Sequence, residues 1–213
     1  MFVLSPRRSA QLGLAGAFTV LALSLSALLL VPRYSRPIAA ADVGTVAPDF
    51  RLLDTDGRAF TLSALRGQAG VLFFGSLHSP ETADYNDRID QLAKRYAADS
   101  RVKFLAVDVP GSGDAGAAAA AEDGALDRLR VRVDANVIGR PFPTLVDDHA
   151  AVAARYSAQD MPLFVVIDPK GVVAYRGAFD DSRDLAFATK HFLPDALADV
   201  LGAPASAVAQ MAR

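Results

Sequence analysis

The chain has 213 residues, 52% hydrophobic and 22% charged, which excludes a disordered segment and allows one domain plus an appendage. A net charge of -2 gives no basic field, so no nucleic-acid partner is expected. Cysteine is absent, which removes any disulfide, any thiolate nucleophile and any cysteine-ligated metal site.

Arg7 and Arg8 precede an uncharged run from Leu12 to Val31. A helix of that length spans about 30 Å, the thickness of a hydrocarbon core. The run is longer than a signal-peptide core of ~7–15 residues. Residues 1–31 therefore read as a cytoplasmic tip and transmembrane anchor. The alternative is a signal cleaved near Ala39-Ala40-Ala41, leaving a secreted protein. The arginine pair before the run places the bulk of the chain on the extracytoplasmic, periplasmic side. Residues 32–45 read as a linker, 46–203 as the folded domain and 204–213 as a tail.

Within the domain, Arg51 to Leu53 and Ala59 to Leu62 flank Asp54-Thr55-Asp56-Gly57, a hairpin with an Asp/Gly turn. The Asp-x-Asp-Gly pattern also opens calcium loops, but the remaining ligands are missing, and the turn is preferred. Ser63 is expected to cap a one-turn helix ended by Gly67. Val71 to Gly75 is a continuous apolar run, as in a strand buried on both faces. Tyr85, Ile89, Leu92 and Tyr96 then form one face of a helix. Val102 to Val109 is a second buried strand. Residues 110–124 read as a loop leading into a helix near Leu126 to Leu129.

Pro143 to Val146 predicts a short strand and Ala150 to Tyr156 a short helix. Leu163 to Ile167, the Asp168-Pro169-Lys170-Gly171 turn, and Val172 to Arg176 predict a hairpin. A last helix is expected from Leu185 to Leu201. Alternating strands and helices imply parallel strands with crossovers, and the closing hairpin adds antiparallel ones. The fold class is α/β, a central mixed sheet flanked by helices, with an N-terminal transmembrane helix.

These motifs resemble the thioredoxin-like superfamily, and within it redoxins of the alkyl-hydroperoxide-reductase and thiol-specific-antioxidant (AhpC/TSA) type, over Val43 to Leu201. Gly44-Thr45-Val46-Ala47-Pro48-Asp49-Phe50 is similar to the family's G-x-x-A-P-D-F opening. Ser79-Pro80-Glu81-Thr82 occupies the frame that usually carries Cys-Pro-x-Cys. Met161-Pro162 is similar to the loop whose proline is cis and faces the redox cysteines. The resemblance implies an oxidoreductase, yet both cysteine positions are filled, by Ser79 and Thr82.

A serine hydroxyl at this place needs a positioned base, and a Ser79–His78 hydrolase lacks the rest of a triad. The structural reading of Ser79 is an N-cap, with Pro80 at the first helical position and Glu81 complementing the helix dipole. His149 and His191 read as surface or helix-end residues, and no metal or cofactor is expected.

The preferred reading is a membrane-anchored thioredoxin-like domain, redox-inactive, acting as a binding or assembly module. Its binding face would comprise His78, Ser79, Met161 and Pro162, presented to a protein or peptide partner. The alternative is a redoxin-family thiol-disulfide or peroxide oxidoreductase using partner thiols.

Overall fold

The computed structural model describes residues 41–76, 79–109 and 139–202. Those residues lie in one compact unit, Ala39–Arg213. The expected anchor at 12–31, the loop and helix between 110 and 129, the tail and His78 lie outside the described residues. Among the described residues, no helix is long and apolar enough to cross a membrane. Contacts with the domain begin inside the segment read as linker. Ala41 is buried and its N–H donates to the Arg155 carbonyl.

Strands β1 (Arg51–Asp54) and β2 (Ala59–Thr61) form the first hairpin. Asp54 accepts from the N–H groups of Asp56 and Arg58, and Gly57 takes the left-handed conformation such a turn needs. The carboxylate that opened the calcium-like pattern thus closes the turn. The following one-turn helix is a 3-10 helix at Leu62–Leu65. Its cap differs from the expectation. Ser63 lies inside the turn, and its N–H donates to the Asp49 carboxylate at 3.0 Å. Asp49 also accepts from Phe50, so the aspartate of the opening phrase pins that helix from a distance in sequence.

Strand β3 (Ala69–Gly75) is buried throughout. Helix α1 (Pro80–Arg95) follows, then β4 (Val102–Asp108), β5 (Thr144–Val146), α2 (Ala151–Arg155), β6 (Leu163–Ile167), β7 (Val173–Gly177) and α3 (Phe192–Leu201). Among the described residues the sheet has the order β2-β1-β5-β4-β3-β6-β7. The β3–β4 and β4–β5 pairs are parallel, and the β3–β6 and β6–β7 pairs antiparallel. This is the mixed sheet expected from the alternation.

Side chains alternate along β3, so it feeds two cores. Leu72 and Phe74 join Leu105, Val165 and Tyr156 on the α2 face. Val71 and Phe73 join Ile89, Phe164, Leu193 and Leu197 beneath α1 and α3. Phe73 and Phe164 stack at 4.9 Å between centroids.

The last helix starts later than expected. A helix from Leu185 would carry Pro194 in its interior, where the missing N–H and ring clash cost about 3 kcal/mol. The chain instead makes a 3-10 turn at Leu185–Phe187, capped by the Asp184 side chain. It restarts at Phe192, so Pro194 falls in the first turn, where no intrahelical donor is needed. Asp181 holds the intervening loop by accepting from the Thr189 hydroxyl and from the N–H groups of Thr189 and Lys190. Those bonds, led by the Thr189 hydroxyl, keep its carboxyl well below the ordinary range.

That loop is tied to α1 by an ion pair. Arg88 Nη1 meets the two Asp180 oxygens at 2.8 and 2.6 Å and also donates to the Ser182 carbonyl. The two side chains are 6% and 0% exposed. Removing one partner leaves a buried charge uncompensated. Arg88→Ala is expected to lower unfolding stability by about 3–5 kcal/mol, read from denaturant unfolding.

Candidate functional site

The site is built at one end of β3. After Gly75 the chain turns into α1, and Ser79 is the N-cap in an extended conformation. Its Oγ accepts from the Thr82 N–H at 3.4 Å and donates to Glu81 Oε2 at 2.5 Å. Pro80 and Glu81 take the roles expected of them in the first turn.

Thr82 packs against the end of β3. A Cβ added at Gly75 would lie 2.8 Å from Thr82 Oγ1 and 2.9 Å from its Cγ2. The glycine therefore sets how closely the helix start approaches the strand. Thr82 is β-branched and has little rotamer freedom in a helix, so it cannot easily step aside. Gly75→Ala is expected to cost about 1–3 kcal/mol in thermal or denaturant unfolding.

The Met161–Pro162 peptide bond is cis, as the resemblance implied. Leu163 pairs with Phe74, so Pro162 stands one step further along, at the level of Gly75. The sheet register thus brings Ser79, Thr82 and the Met161–Pro162 loop to the same end of the fold. Met161 is half-buried against the α2-side core, and its backbone N–H and C=O bond to no other described residue. His149 is exposed, and His191 is the N-cap residue of α3, matching the surface and helix-end expectation.

The hydroxyl of Ser79 is poorly placed for nucleophilic chemistry. Its proton is shared with Glu81, whose carboxyl lies below its ordinary range chiefly because of that Ser79 bond. A carboxylate held that way is a weak base.

Beneath the first turns of α1 lies a polar cluster that the sequence did not reveal. Arg140, with its side chain 1% exposed, sits 5.1 Å from the ring centroids of both Phe73 and Phe142. Its Nη2 donates to Asn86 Oδ1 at 2.7 Å, and its Nη1 is 3.8 Å from Asp90 Oδ1. Arg140 Nε and Nη1, Asp90 Oδ1, Thr82 Oγ1 and Thr144 Oγ1 are buried and find no hydrogen-bond partner among the described residues. The only sequence signal is the polar spacing Thr82, Asn86, Asp90 along one flank of α1.

Burial pushes the Asp90 carboxyl up despite the opposing pull of Arg140, and burial lowers Arg140. A carboxyl raised on folding stabilises the fold below the unfolded aspartate pKa, near 3.9, and that contribution is lost as pH rises through the folded value. The wild type should therefore lose stability relative to Asp90→Asn as pH climbs from about 4. Urea unfolding of both proteins over a pH series reads this, and a pH-independent difference would contradict it.

Among the described residues, a seven-stranded mixed sheet, a capped helix leaving its central strand and a cis proline at the same end define a thioredoxin-like fold. The chain belongs to the AhpC/TSA family, which it matches over residues 43–176. No curated protein matches it. Among solved structures it is similar to an uncharacterized conserved protein of Geobacillus kaustophilus, at 28% identity and TM-score 0.62, covering 77% of this chain and 85% of that one. It is also similar to a hypothetical protein of Sinorhizobium meliloti 1021, at 26% identity and TM-score 0.62, covering 76% and 86%. A candidate thiol:disulfide interchange protein DsbE of Chlorobium tepidum shares the fold at 21% identity and TM-score 0.51, covering 65% and 86%.

Proposed function

We propose that this AhpC/TSA-family domain is redox-inactive and serves as a binding module for an extended protein or peptide segment. The observation that carries the reading is the pairing of Ser79 and Thr82, intact as a helix start, with no cysteine anywhere in the chain. Thiol chemistry at a helix N-terminus works because the local field favours a thiolate, and a serine hydroxyl ionises far too high to substitute. What remains is a surface: the Ser79 turn, the half-buried Pro162 and the Met161 backbone groups, which bond to no other described residue. Open backbone N–H and C=O groups beside an apolar side chain are what an extended segment can pair with. Residues 12–31 would anchor the domain to the membrane on its periplasmic side, since the run is long enough to span the bilayer and follows two arginines.

One experiment separates this from the oxidoreductase reading. The full chain is expected in the membrane fraction and should not reduce disulfides or peroxides with dithiol present. Proteins captured on it should be lost when Met161-Pro162 is replaced by Gly-Gly. The Ser79→Cys, Thr82→Cys double variant should gain dithiol-dependent disulfide reduction, showing that the frame was competent and only sulfur was missing. Turnover by the cysteine-free wild type would overturn the redox-inactive reading, and recovery of the full chain in the soluble fraction would overturn the anchor.

A further inference from the structure

A second place on the domain carries binding chemistry of its own, independent of the reading above. Arg88, Leu92 and Arg95 recur at spacings of four and three on one stripe of α1. Between that stripe, the loop after β7 and the start of α3 lies a cavity of about 110 Å³. It is at the far end of α1 from Ser79: Arg95 is sixteen residues along the helix, about 24 Å at helical rise.

The cavity has three kinds of surface. Its floor is the Arg88–Asp180 pair, in which each charge is already matched. Its walls are apolar: Leu92, Phe179, Leu185 and Pro194. Toward solvent stand the exposed Gln91 and Arg95 and the half-buried His191. Arg95 forms no ion pair with any described residue, and the His191 side chain makes no cap bond to α3. The acidic lining residue, Asp180, is thus spent, and the rim offers unmatched donors. Such a site fits an anionic head with a hydrocarbon body, a carboxylate on a branched aliphatic chain. A cavity of ~150 Å³ takes a six-carbon ring, so this one suits a body of about four carbons.

The surroundings favour one source for that group. Leu185, itself part of the lining, is 58% exposed, and Phe187, in the same 3-10 turn, is 72% exposed. A free acid would leave that apolar surface in water, whereas the residues preceding a peptide's last one would cover it. We propose that the cavity binds the C-terminal residue of a peptide or protein with an aliphatic side chain. Its carboxylate would lie on Arg95 and His191, and its side chain against Leu92, Phe179, Leu185 and Pro194.

The test uses the detergent-solubilised full chain and a fluorescein-labelled tetrapeptide ending in leucine, followed by fluorescence anisotropy. The free-carboxyl peptide should bind, and the same peptide amidated at its C-terminus should bind at least tenfold more weakly. Arg95→Met should weaken the free-carboxyl peptide at least tenfold, and so should Leu185→Asp, whose exposed position leaves folding intact. No binding, equal binding of acid and amide, or unchanged binding in both variants would overturn the proposal. Displacement of the peptide by 3-methylbutanoate at equal concentration would also overturn it, because the occupant would then be a free acid.

Discussion

Everything in this molecule depends on β3 being buried on both faces and paired along both edges. Its apolar residues supply the two cores in alternation, Leu72 and Phe74 to one and Val71 and Phe73 to the other. Its parallel partner β4 and antiparallel partner β6 fix where neighbouring chain segments end. Because Phe74 pairs with Leu163, the residues after Gly75 and those before Leu163 must meet at one end of the sheet. The site is a consequence of that register. A slip of one residue would turn every β3 side chain to the wrong core, which is why the register is strongly specified.

The same geometry explains what Ser79 and Thr82 do in the places of the two thiols. Thr82 lodges on the bare Cα of Gly75 with its hydroxyl buried and unbonded, while Ser79 closes the helix start from outside. One residue sets the packing distance and the other satisfies a backbone donor that would be orphaned at the helix end. Both are structural jobs that need no ionisation. The frame therefore keeps its shape through capping and contact.

How far the sequence could be read follows from how local each interaction is. β3, α1 with its Ser79 cap and the hairpin β6–β7 were legible, because each is declared by neighbouring residues: an apolar run, a Ser-Pro start, an Asp-Pro-Lys-Gly turn. The cis proline came through the resemblance, since composition alone says nothing of its isomer. The last helix starts one segment later than the Leu185 start expected, because Pro194 is tolerated in a helix's first turn and not in its interior. Ser63 does not cap its helix: the N-cap position is Thr61, whose side chain makes no cap bond, and the Ser63 N–H is taken by Asp49 from outside the helix. Arg140 was invisible because its surroundings, Phe73, Asn86 and Asp90, arrive from separate elements. Arg88 and Asp180 are likewise ninety-two residues apart.

Helix α1 carries two polar stripes, and they differ in kind. The stripe of Thr82, Asn86 and Asp90 turns toward Arg140 and leaves several atoms without partners, so its charges are poorly matched and its carboxyl is raised. The stripe of Arg88 and Arg95 turns toward the loop after β7, where Arg88 is fully engaged by Asp180 and two carbonyls. A saturated arginine holds structure; Arg95, on the same stripe, has no counter-charge among the described residues. Arg183, which bonds Asp84 from the loop, reinforces the distinction, because it draws the loop onto α1 without using Arg95. Along one helix the matching of charge thus separates the residues that build the domain from those free to meet something outside it.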